Sequence, residues 1–332
     1  MAERNPGIFG DIVQFGRGLL MGGADIIPGV SGGTVALVLG IYERLVTAIS
    51  HFDLALLSHL RRREWSAAAG HVDLRFIAAL GFGILTGVGS LAGVIHYLLE
   101  HHHQHTLAAF FGLMVVSCVL VARMVKVGNQ GQACFLATIG LVAAGGAYWL
   151  VGLPFLQGQP GYGYLFFCGV VAISAMILPG VSGAFLLLVL GKYAEVTGII
   201  KDVVRFESTV DDLMTLVVFA AGCAVGLIGF SKILRWLLAR HESITMATLC
   251  GLMAGSLRRI WPFQTDTTPD ALFKEKVYEN HWPSSFDGQV LTSIGIAIVA
   301  VLVVVAIDAL ARRRFVEPPL GSEDEPTDAK RQ

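Results

Sequence analysis

One pentapeptide, Pro-Gly-Val-Ser-Gly, occurs twice in this chain, each time in the middle of a long apolar stretch. Both occurrences continue alike. Pro28–Tyr42 reads PGVSGGTVALVLGIY and Pro179–Tyr193 reads PGVSGAFLLLVLGKY, identical at ten of fifteen positions with an offset of 151. Average residue usage would give about one such match. A second block matches at an offset of 139: Gly83 and Gly87 with Gly222 and Gly226, Leu98-Leu99 with Leu237-Leu238, Gly112-Leu113-Met114 with Gly251-Leu252-Met253, and Ser117 with Ser256. The difference of twelve between the offsets falls in the connection carrying Arg61, Arg62 and Arg63. The chain is therefore two copies of one unit, a broken apolar segment followed by three apolar ones.

Composition says where such a unit lives. The chain is 54% hydrophobic and 15% charged, against about 25% charged in a soluble domain. Unbroken apolar segments lie at roughly 74–99, 106–125, 133–152, 212–238, 244–260 and 289–311, with the two broken ones at 11–50 and 163–200. About 20 apolar residues cross a bilayer as a helix. The expected fold is an all-α polytopic membrane protein: one transmembrane domain over 1–320, with repeat one at 11–152 and repeat two at 163–311, and a polar tail at 321–332. The N-terminal apolar stretch lacks the cleavage site of a secretory signal. A net charge of −1 excludes a basic nucleic-acid footprint. The five dispersed cysteines form neither a disulfide framework nor a zinc motif. No nucleotide-binding or hydrolase motif is present, and the expectation is a protein that is not an enzyme and has no cofactor. His101, His102, His103 and His105 read as a solvated turn rather than a metal site.

An odd number of spans after each break makes the two copies enter the membrane from opposite faces, the inverted-repeat plan of secondary transporters. With both termini in the cytoplasm, Arg61–Arg63, Arg123, Lys126, Arg235, Arg240 and Arg312–Arg314 all fall inside, as the positive-inside rule asks. Lys192, Lys201, Arg205, Arg258 and Arg259 are the exceptions.

A proline removes a backbone donor and glycine opens unusual backbone angles, so each pentapeptide should break its helix. The freed polar groups cannot face lipid and must line a cavity. Val30–Tyr42 predicts a half-length helix of about 20 Å, whose first amides, at Ser31, Gly32, Gly33 and Thr34, would hold an anion. Ser182 and Gly183 repeat that arrangement. Asp25 is the one charged residue between Gly18 and Tyr42, and an intramembrane carboxylate is a candidate for coupling to protons or sodium. Its counterpart in the second copy is Met176. Arg17, Arg44 and Lys192 are candidate partners of a phosphate, and Glu43 and Glu195 further candidates for coupling.

The run GGADIIPGVSGGTVALVLGIYERL at 22–45 resembles the signature of the bacterial polyprenyl-phosphate transporter family, and ISAMILPGVSGAFLLLVLGKYAEV at 173–196 resembles that family's second signature. The resemblance spans about 11–311. It implies translocation of undecaprenyl phosphate from the outer to the inner leaflet of the bacterial cytoplasmic membrane, for reuse in cell-wall synthesis. Two alternatives stay open on the residues alone: a small-anion or ion-coupled transporter, and an enzyme like undecaprenyl-diphosphate phosphatase. Against the enzyme, no Glu-rich or Arg-bearing motif adjoins either break. The oligomeric state is left open.

Overall fold

A chain this apolar must satisfy its backbone polar groups within helices, and helices make up nearly all of the regular structure in the computed structural model. It describes residues 7–26, 31–153, 158–268, 276 and 278–315; the polar tail and Pro28–Val30 of the first pentapeptide lie outside them.

The first copy comprises α1 (Ile8–Asp25), α2 (Gly32–Val38), α3 (Tyr42–Ser50), the short α4 (Leu54–Arg61) and α5 (Trp65–His71), then α6 (Leu74–His101), α7 (His103–Met124) and α8 (Gln130–Leu150). The second comprises α9 (Tyr162–Ile177), α10 (Gly183–Val189), α11 (Tyr193–Val204), α12 (Val210–Arg240), α13 (Glu242–Ser256) and α14 (Gly288–Phe315). A 3-10 turn (Leu257–Ile260) and a small hairpin, β1 (Gln264–Asp266) with β2 (Tyr278–Asn280), lie between α13 and α14. The helices α4 and α5 occupy the extra connection of the first copy, which is why the two offsets differ. Among the described residues α6, α7, α8, α12 and α14 are long and apolar enough to cross a membrane. The expected span at 244–260 is instead the shorter α13 closed by its 3-10 turn.

One expectation needs correction. The helix that should run unbroken from Val30 to Tyr42 stops at Val38, and α2 and α3 meet at 120°. In the second copy α10 and α11 meet at 116°. Both bends turn on a glycine in the left-handed region, Gly40 at φ +69 and Gly191 at φ +67, where any other residue is strained by about 1–2 kcal/mol. Each copy thus has a hairpin of two short helices in place of one half-helix.

Helix directions follow from contacts. Asp11 pairs with Arg75 (2.7 Å) at the start of α1 and α6, Gly18 abuts Gly83, and Gly23 abuts Leu91, so these helices are parallel. Tyr162–Asp211 (2.6 Å), Gly169–Gly222 and Ile173–Gly226 make α9 and α12 the same parallel pair. Gly112 seats on Ala297 and Gly251 on Gly140, so each copy's second span packs on the other copy's third. Lys126–Glu242 (2.7 Å) and Cys250–Cys118 O (3.4 Å) run α7 and α13 antiparallel at the centre. Their counterpart methionines Met114 and Met253 are 2% and 0% exposed there. Since α6 and α7 are consecutive spans joined at His102, α1, α6, α8 and α13 run one way while α7, α9, α12 and α14 run the other. Each of these eight helices opposes its counterpart, and the repeats are inverted.

Candidate functional site

Both breaks are brought together at the centre. The Gly180 N–H donates to Thr34 Oγ1 (2.9 Å), the Ser31 hydroxyl to Leu178 O (3.3 Å), and the Tyr42 hydroxyl to Ile177 O (3.0 Å). Gly33 permits this approach, because a Cβ there would lie 2.8 Å from Ile177 O. The serines cap their own short helices. Ser31 Oγ accepts from the Thr34 N–H and Ser182 Oγ from the Phe185 N–H, each at 3.4 Å, satisfying donors that a helix start leaves unpaired. The Gly32 N–H donates to Asp25 Oδ1 at 2.5 Å. Asp25 therefore occupies the anionic position at the start of α2 in this conformation. Gly183 is packed against Ala172 and Met176.

Two cavities lie at opposite ends of α6 and take in all the remaining predicted residues except Lys192 and Glu195. Where α6 begins, Arg17, Glu43 and Arg44 line one with His51, His71 and Asp73. Arg44 is engaged there, with Nε 2.7 Å from Asp73 Oδ2 and its guanidinium 4.3 Å from the Phe76 ring centre. Arg17 donates to Gln14 Oε1 (3.3 Å). Lys192 lines neither cavity; it is 6% exposed and ion-paired with Glu195.

Where α6 ends, a smaller cavity of about 80 Å³ lies between the second hairpin and the α6–α7 corner. Asp25, Ser182, His103, Arg259, Gln264 and Tyr278 are among its walls. Its size is that of a few water molecules, each taking about 30 Å³, or of one phosphate-like group. Two neighbouring arginines are separated by the 3-10 turn. Arg258 points away, donating to Tyr148 O (2.9 Å). Arg259 points in, its guanidinium 5.1 Å from the Phe185 ring centre. Among the described residues Arg259 makes no ion pair. A cation withdrawn from water without a carboxylate is costly, and the aromatic face offsets only about 0.5–2 kcal/mol. The hairpin β1–β2 roofs this cavity. Tyr278 stacks on His103 (4.6 Å between ring centres), and burial pushes its phenol pKa up. Asp266 and Lys276 close the hairpin with an ion pair of 2.6 Å, which holds the carboxyl below its ordinary range and the ammonium above it.

Arg259, His103, Gln264 and Tyr278 were not predicted as site residues. The available signal was Arg258-Arg259 as an exception to the charge rule: a cation on the wrong side invites the question of what it is for.

A family model described as undecaprenyl phosphate translocase-like matches residues 21–277. The chain is 38% identical over 248 residues to a polyprenyl-phosphate transporter of Vibrio cholerae serotype O1, covering 75% of this chain and 77% of the relative. It is 33% identical over 257 residues to a polyprenyl-phosphate transporter of Staphylococcus aureus, covering 74% and 84%. No solved structure matches.

Proposed function

Because this chain belongs to the undecaprenyl phosphate translocase-like family, we propose that it carries a polyprenyl phosphate across the bacterial cytoplasmic membrane, taking up the phosphate at Arg259. The observation that carries this reading is the inward-turned guanidinium, without an ion pair among the described residues, beside both breaks. A guanidinium presents a planar fork of donors to phosphate oxygens, and charge-assisted bonds of this kind are about twice as strong as neutral ones. With both termini in the cytoplasm, the Arg259 cavity opens to the outer face, and the cavity of Arg17, Glu43 and Arg44 to the inner one.

Transport then requires the two hairpins to exchange environments, the headgroup passing from Arg259 toward Arg44. Inverted repeats supply two equivalent arrangements of one architecture. In favour of this alternation, α3 packs on α12, whereas its counterpart α11 has no comparable packing on α6. Asp25 lies where the headgroup and the first break meet. Uptake of a proton or a sodium ion there would offset the cost of moving an anion through a low-dielectric path, with Glu43 and Glu195 as lesser candidates. A hydrolytic role is disfavoured because, among the described residues, Asp25 is the one carboxylate of the Arg259 cavity, whereas pyrophosphate cleavage needs several charged groups around the reacting phosphorus.

The test is lipid transfer between leaflets of proteoliposomes. Arg259→Ala should slow it about tenfold to a hundredfold. Arg259→Lys, which keeps the charge without the fork, should fall between, and Arg44→Ala should lose less because Asp73 already holds that side chain. Asp25→Asn should still bind lipid but lose any pH or sodium dependence of transfer. Wild-type rates in Arg259→Ala would refute the site.

A further inference from the structure

Beside the Arg259 cavity lies an apolar groove of about 440 Å³ between α7 and α14. We propose that this groove holds the hydrocarbon tail of the lipid whose phosphate sits at Arg259, a deepening that rests on the function proposed above. Three observations support it.

The groove continues the cavity. His103 and Leu107 line the cavity, Phe111 and Val115 line the groove, and these four stand at successive i, i+4 positions, which share a helix face. The segment after α13 serves both in the same way, giving Arg259 and Gln264 to the cavity and Trp261 and Phe263 to the groove.

The groove fits one chain. Its floor is the close seating of Gly112 on Ala297, and its α14 wall runs from Ser293 to Leu302, about 14 Å at 1.5 Å per residue. Ser293 presents no free donor, since its hydroxyl donates to Gln289 O (2.9 Å) and accepts from Gln104 Nε2 (2.9 Å). The occupant is therefore hydrocarbon, joined directly to an anion at Arg259. A prenyl phosphate is built this way; a diacyl lipid brings two chains and a glycerol.

The rim is aromatic. Trp261 meets Phe111, Phe263 and Trp282 edge-on at 5.0–5.8 Å, and Trp282 is 81% exposed. Such rings sit where apolar chain meets polar headgroup.

The experiment measures affinity of the purified full chain in nanodiscs for undecaprenyl phosphate and for geranyl phosphate, whose two-isoprene tail barely leaves the cavity. Val301→Trp fills the groove, and Val301→Leu is its control. Val301→Trp should weaken undecaprenyl phosphate about tenfold and leave geranyl phosphate within about twofold. In the wild-type protein, an undecaprenyl phosphate analogue with a diazirine several isoprenes from the phosphate should cross-link within 294–302, an arm that does not depend on the variant folding. Unchanged undecaprenyl affinity in a folded Val301→Trp overturns the proposal, as does equal cross-linking by a diacyl probe, which would make the groove an ordinary annular-lipid site. If the wild-type protein binds neither prenyl phosphate, or Arg259→Ala binds both normally, it is the underlying functional reading that fails.

Discussion

The two hairpins share ten of fifteen residues and the same bend, yet they sit in different surroundings. In the first, Tyr42 and Val46 are 2% and 0% exposed, packed in the core that α12 helps to form with Leu234 and Leu238. In the second, their counterparts Tyr193 and Thr197 are half-buried, and a cavity with Arg259 takes the place of the helix contact. Equivalent sequence in inequivalent packing means that the environment, more than the hairpin itself, decides which side is closed. The proposed alternation requires a second arrangement, with the packing of the two hairpins interchanged.

Val46→Asp probes that difference most severely. It would put a carboxylate into a fully buried apolar site, at several kcal/mol, whereas Thr197→Asp at a half-buried position should cost about 1 kcal/mol or less. Thermal unfolding in detergent should drop by about 10 °C or more for the first and only slightly for the second. Equal drops would mean that the hairpins are not packed differently.

A cross-link sharpens the comparison from the other direction. Val46 and Leu234 belong to one core; their repeat counterparts are Thr197 and Ile95. If the hairpins exchange environments, cysteines introduced at 197 and 95 should form a disulfide in membranes during transport, and forming it should halt lipid transfer. Failure to cross-link under turnover would argue for a fixed closed side.

The smallest effect concerns the hairpin over the open side. The lowered Asp266 pKa contributes stability present above the unfolded value, about 3.9, and lost as pH falls through the folded one. The raised Lys276 pKa contributes stability present below about 10.4 and lost as pH rises through its folded value. Protection of the β1–β2 amides, corrected for intrinsic exchange, should stay flat from about pH 5 to 9 and fall outside that range. Asp266→Asn should lower it throughout.

Much of this was legible in the sequence. The repeats, the break points and the opposed directions follow from residue identities at fixed offsets, because membrane spans and Pro-Gly breaks are local properties. The second bend was visible too, as Gly40 and Gly191 in matched places, but a lone glycine does not announce a positive φ. What local reading could not supply was the partner of the second break. Arg259 is far from Ser182 in the chain and reaches it only through the packing of α13 on α8 and the turn that follows. For the same reason Arg44 looks available in the sequence, because its partner Asp73 lies 29 residues away; Glu195, three residues from Lys192, is within local reach.

Transport as proposed rests on phosphate binding at Arg259, on the side where α6 ends. A structure of the protein with a bound prenyl phosphate tests it most directly. The phosphorus should lie in the cavity between the second hairpin and the α6–α7 corner, with a phosphate oxygen about 2.7–2.9 Å from the Arg259 guanidinium. A headgroup resting only beside Arg44 and Asp73 while α3 remains packed on α12 would contradict it.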